Sequence, residues 1–231
     1  MNDRLFRLAC AVLVVIVGVW AGTRIHAARM AANGTLAAPR PAGEASTSMR
    51  GDLAGEFTGQ PTKIPDRLPA FSLSDLEGKP TPIGSWNGQS LVINFWATWC
   101  APCRREIPLL EGLAGEWEGR GVRVIGIAVD HRAEVASYAR QLKIGYPILI
   151  GEQDALDVAS SLGFDSPVFP FTVFSDSRGE LVALFIGELH EPQATLILSV
   201  VDDLNRDHIA LKEARRTIAD GLQRLRSAKP G

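Results

Sequence analysis

Cysteine is scarce in this chain: three of 231 residues. That is too few for a fold stapled by several disulfides. Charge of one sign is also missing. Twenty-four basic residues stand against 26 acidic ones, for a formal net charge of -2. No basic stripe with interleaved aromatics occurs, so the electrostatic footprint of a nucleic-acid binder is absent. The four histidines, His26, His131, His190 and His208, form no H-x-H or H-x-x-x-H pair. No internal repeat is present, which excludes a solenoid. Long apolar runs are missing from most of the chain. The long apolar run without a charge is Leu8–Thr23. What remains is ordinary globular composition, 46% hydrophobic and 22% charged, which argues against wholesale disorder.

The uncharged stretch follows Arg4 and Arg7 and precedes Arg24 and Arg29. A spanning helix takes about 17–25 residues, and Leu5 and Phe6 lengthen the run if Arg7 snorkels. We read residues 1–24 as a membrane anchor or signal segment, with membrane contact through residues 5–24. The anchor is favoured over a cleaved signal because Arg24-Ile25-His26-Ala27 is a poor small-x-small site. Cys10 serves there as a small apolar filler. Residues 25–62 are rich in Ala, Gly, Pro, Ser and Thr without an apolar period. This reads as a flexible linker. Residues 63–205 form the expected folded domain. Residues 206–231 are a basic extension, with seven Lys or Arg against three acidic residues. Ile218, Leu222 and Leu225 make a helical stripe in it. A helix packed on the domain is the favoured reading, and a surface for anionic lipid or a partner is the alternative.

Within the domain, strand and helix patterns alternate. Phe71–Leu76 and Thr81–Ile83 flank a glycine turn and predict a hairpin. Leu91–Trp96 and Val122–Val129 are apolar runs suited to buried strands. Pro147–Ile150, Phe171–Phe174 and Leu181–Ile186 read as further strands. Helices are expected from Cys100 to about Gly119, over Arg132–Leu142, Asp154–Leu162 and Gln193–Leu204. The class is α/β, around one mixed sheet.

The chemistry concentrates in Trp96-Ala97-Thr98-Trp99-Cys100-Ala101-Pro102-Cys103, where a buried strand gives way to a helix. The helix N-terminus offers unpaired N–H groups and a partial positive charge. Both favour thiolate at Cys100, so its pKa falls below the free-thiol value of about 8.5. The two-residue gap lets the sulfurs close a small disulfide ring. Pro102 lacks an N–H where none is needed. A zinc site would require two more ligands at sensible spacing, and none is evident. We therefore expect no metal and no cofactor beyond the cysteine pair.

The segment LVINFWATWCAPCRREIP resembles the active-site segment of the TlpA/ResA-like branch of the thioredoxin superfamily, and the resemblance runs from about Phe71 to Leu204. It implies a thioredoxin-like fold, a mixed central sheet flanked by helices, with an N-terminal hairpin. It also implies a helix–strand insertion over Asp130–Leu162. By the same resemblance Cys100 is the exposed nucleophile and Cys103 the buried resolving thiol. Trp99 packs beside the disulfide, and Pro108 kinks the active-site helix. Pro170 is a cis-proline facing the disulfide, leaving the Phe169 backbone free for a substrate strand. There are departures. Asn94 stands where thioredoxin proper has an aspartate, and it cannot take a proton from Cys103. Glu106, three residues after Cys103, is a possible proton relay through water, although a solvated carboxylate is the plainer expectation. The loop Phe164–Phe169 is longer and more apolar than the usual turn. Phe171 replaces the glutamate typical of the cytochrome c-dedicated branch, which weakens that assignment. Phe169 and Phe171 are alternatively ordinary core aromatics.

The resemblance further implies a single-pass protein of the cytoplasmic (inner) membrane with its catalytic domain on the periplasmic, extracytoplasmic face. There it would reduce disulfides in exported cysteine-containing proteins, recharged by a thiol-reducing membrane electron donor. An oxidase or isomerase would use the same pair, with reduction potential deciding direction. A peroxidase would want Thr or Ser where Ala97 stands. A copper-binding assembly factor would want a Met or His near the thiols.

Overall fold

The computed structural model describes residues 64–164 and 166–228. The expected anchor, Cys10 and the linker through residue 62 lie outside these residues. Among the described residues no helix is long and apolar enough to cross a membrane.

The elements are β1 (Ser72–Asp75), β2 (Pro80–Pro82), β3 (Ser90–Trp96), α1 (Ala101–Trp117), β4 (Val122–Val129), α2 (Arg132–Leu142), β5 (Ile148–Gly151), α3 (Gln153–Ser161), β6 (Phe171–Ser175), β7 (Leu181–Ile186), α4 (Glu191–Asn205) and α5 (Leu211–Ser227). They build one seven-stranded sheet in the order β2-β1-β5-β4-β3-β6-β7. β3, β4 and β5 run parallel. β6 and β7 are antiparallel on one side, and the β1–β2 hairpin is antiparallel on the other. The chain has the thioredoxin-like fold expected of it. The insertion supplies β5, which separates the hairpin from β4.

Every residue of β3 is buried, as its near-continuous apolar run requires of a strand covered on both faces. On one face Val92 and Trp96 pack with Ile107 and Leu110 of α1 and Ile197 of α4. On the other, Ile93 and Phe95 pack with Ala155 and Val158 of α3 and with Phe164. Gly126 lies opposite Asn94 in the β3–β4 register. A Cβ there would stand 2.9 Å from Trp96 Nε1 and 3.1 Å from the Tyr146 ring, so the two aromatics occupy the space of its missing side chain.

The extension beyond residue 205 folds back. Ala214 and Ile218 of α5 are buried in the same core as the active-site helix. Arg215 Nε and Nη2 donate to the Leu181 carbonyl at 3.0 and 2.7 Å, which covers part of the outer edge of β7. The apolar stripe therefore meets protein, and the packed reading of the tail is the one observed.

Candidate active site

β3 ends at Trp96, and after three intervening residues Cys100 caps α1. Cys100 has extended dihedrals, and its Sγ accepts the Cys103 N–H at 3.3 Å. Cys100 and Cys103 form a disulfide with Cα atoms 5.3 Å apart. Pro102 occupies the first turn of α1, and Pro108 lies inside it. Cys103 is 0% exposed and Cys100 5%. The expectation of an exposed Cys100 thus needs correction for the disulfide form. Cys100 is the more accessible residue of the two, but only slightly.

Trp99 is the exposed group at this spot, 67% accessible. Its ring meets Phe169 edge-on at 6.2 Å. The Phe169–Pro170 peptide bond is cis. Pro170 is buried, and its carbonyl accepts the Gly187 N–H at 2.9 Å. Phe169 is half-buried and packs against the cluster that contains both cysteines. Its backbone has no hydrogen bond among the described residues. Phe171 is fully buried, stacked on Phe95 at 4.3 Å and tilted on Phe164 at 4.4 Å. So Phe171 is a core aromatic, whereas Phe169 joins that aromatic stack to the surface beside Trp99.

Glu106 departs most from its expectation. It is 1% exposed, not a solvated carboxylate. Asn94 Nδ2 donates to its Oε1 at 2.8 Å, and the Leu189 N–H donates to its Oε2 at 2.8 Å. Asn94 Nδ2 also reaches Thr172 Oγ1 at 3.0 Å. Burial pushes the Glu106 pKa up to about 7, against the lowering effect of those two hydrogen bonds. Helical spacing already set Glu106 on the face of Cys103. The lid over that face is not local, because Leu189 lies 83 residues away.

Two further contacts had no sequence signal. Thr98 is bonded through its backbone N–H and hydroxyl to Asp130. Arg105, one of two cations that follow Cys103, is paired with Glu188. Among the described residues no cluster of three or more His, Cys, Asp or Glu could hold a metal ion.

The chain is similar in sequence and fold to several known proteins. The model of the AhpC/TSA family matches residues 64–197. The thiol-disulfide oxidoreductase ResA of Geobacillus thermodenitrificans is 31% identical over 122 residues, covering 52% of this chain and 68% of the relative. ResA of Bacillus cereus is 29% identical over 132 residues, covering 57% and 74%. Among solved structures, a thioredoxin-family thiol:disulfide interchange protein from Chlorobium tepidum superposes with a TM-score of 0.50 at 27% identity, covering 66% of this chain and 98% of that one.

Proposed function

This chain belongs to the AhpC/TSA family of thioredoxin-like proteins and is a thiol–disulfide oxidoreductase with a Cys100–Cys103 pair, and from that premise we propose that it is a membrane-tethered reductant of disulfides in exported proteins. Its substrates are cysteine-containing proteins. The tether is the uncharged N-terminal run, and a thiol-reducing membrane donor restores the dithiol after each turnover.

In the proposed cycle the Cys100 thiolate attacks one sulfur of a substrate disulfide. A mixed disulfide forms, and the displaced substrate sulfur leaves as thiolate and takes up a proton. Cys103 then gives its proton to ionised Glu106, directly or through water, and attacks Cys100 Sγ. The Cys100–Cys103 bond closes, and the second substrate sulfur departs as thiolate and takes up a proton. Two electrons pass from the dithiol to the substrate, so that one disulfide forms as one is reduced. A base whose pKa lies near the working pH suits this transfer. The Phe169 backbone, which has no hydrogen bond among the described residues, would receive an extended substrate segment beside Pro170, and Trp99 would flank it.

The observation that carries the direction is the charge around the pair. Ala101 and Pro102 bring no cation to Cys100, and Arg105 is engaged by Glu188. Glu106, on the same helical face as Cys103, opposes a second negative charge on that sulfur when ionised. A dithiol form whose thiolates gain little stabilisation favours the disulfide, which makes a reductant. Equilibration with glutathione and dithiothreitol couples tests this. The expected potential lies nearer thioredoxin's, about −270 mV, than a strong oxidant's, about −120 mV. A value above about −180 mV, in the isomerase-to-oxidant range, rejects the reductant and leaves an oxidase or isomerase.

A further inference from the structure

Between the end of β3 and the start of α1 the chain passes through Ala97, Thr98 and Trp99. Within the segment, the Cys100 N–H bonds locally to the Ala97 carbonyl at 3.2 Å. Its long-range polar anchor is Asp130. The Thr98 N–H donates to Asp130 Oδ2 at 3.0 Å, and the Thr98 hydroxyl donates to the same oxygen. Asp130 Oδ1 accepts the His131 N–H at 2.8 Å, where His131 caps α2. Asp130 directly follows β4, whose Ala128 is paired with Trp96 of parallel β3. One carboxylate therefore ties the outgoing ends of two neighbouring strands.

We propose that Asp130, acting through Thr98, is a positioning residue for the redox reaction. It holds the Thr98–Trp99 loop so that the Cys100 sulfur and the Trp99 ring keep the geometry for attack on a substrate disulfide. This rests on the reading of Cys100 as the attacking sulfur. In the disulfide form the bond to Cys103 itself restrains Cys100. In the dithiol form, the one that attacks, that restraint is gone. Order on the N-terminal side of Cys100 then depends on the Asp130 clasp, the local Ala97 bond and the edge contact between Trp99 and Phe169. Loss of alignment between reacting atoms through a change outside the chemistry costs up to about a hundredfold in rate. The bond from Asp130 Oδ1 to His131 has a separate use, as a start for α2, and it survives any change made at Thr98.

The experiment uses the reduced full chain in detergent and oxidised glutathione as probe, with the attack rate followed from pH 5 to 9. Thr98→Val lowers the high-pH plateau about tenfold and leaves the midpoint of the profile in place. Thr98→Ser, which keeps hydroxyl and N–H, stays within about twofold of the unaltered chain. Asp130→Ala falls at least as far as Thr98→Val. If that variant does not fold, the Val and Ser pair decides alone. A Thr98→Val plateau equal to the unaltered one overturns the clasp, as does a Thr98→Ser variant as slow as Thr98→Val. Mass spectrometry of the trapped glutathione adduct keeps the two readings apart. An adduct on Cys100 with unchanged rates removes the clasp alone, whereas an adduct on Cys103 removes the nucleophile assignment and the proposal with it.

Discussion

A carboxyl group taken out of water holds its proton to higher pH, and Glu106 does so to about 7. The unfolded chain titrates the same group near 4.5. The stabilisation linked to its protonated form is therefore fully present below about pH 4.5 and is lost as pH rises through about 7. The shift corresponds to roughly 3 kcal/mol. Glu106→Gln should flatten the fall in urea-unfolding free energy between pH 5 and 8, and equal slopes in the two proteins would refute the burial argument. The glutamine oxygen can still accept from Asn94, but its amide then faces the Leu189 N–H. That costs about 1–3 kcal/mol at pH 5. The cysteines differ at the same scale, since Cys100 keeps a small opening to solvent and Cys103 none. Iodoacetamide applied to the reduced protein at mildly acidic pH should modify Cys100 first. Faster modification of Cys103 would reverse the proposed roles.

Among the elements, α5 shows how one pattern can serve two outcomes. Ile218, Leu222 and Leu225 would suit a lipid surface or a protein groove equally well. Gly221 looks like a weak point in the helix, because glycine disfavours helix interiors by about 1 kcal/mol. In the fold it is a point of close approach. A Cβ at Gly221 would come 2.5 Å from Leu196 Cδ2 of α4. Ile218 is buried, so Ile218→Ala should destabilise the domain by about 2–4 kcal/mol, read from urea unfolding. The reduction potential should not move, because α5 supplies no group at the disulfide. A cost below about 0.5 kcal/mol would mean that α5 adds little to the core. β4, α2 and β7 were legible from sequence because long apolar or 3.6-period runs end at turn residues. β3, β5 and β6 start or end a residue away from expectation, where flanking serine, proline and glycine give no sharp local signal.

For the whole molecule, the expected membrane tether rests on the uncharged run Leu8–Thr23. The full chain should sediment with membranes, resist a carbonate wash and dissolve in detergent. Recovery as a soluble protein beginning near Ala28 would remove the tether and leave the thiol chemistry intact. The fold itself gathers the site from distant parts of the chain. Cys100 and Cys103 come from the β3–α1 junction, Phe169 and Pro170 from the approach to β6, and Leu189 from the loop before α4. Asp130 comes from the end of β4, next to β3 in the sheet.

Cys100, Cys103 and their helix N-terminus were readable from eight consecutive residues, because strand, turn, spacing and helix start are all local in sequence. The α/β class followed from alternating periods, and the cis-proline position from the resemblance that runs from about Phe71 to Leu204. Tertiary structure alone decided which side chains lost water. Glu106 looks like a surface carboxylate until Asn94 and Leu189 close over it, and its raised pKa is a consequence of that closure. Thr98 lies in the motif, but its partner Asp130 is 32 residues away with no local signal, and they meet because parallel strands β3 and β4 end side by side. Burial and long-range hydrogen bonds depend on what the rest of the chain brings to a residue, and no local pattern encodes that.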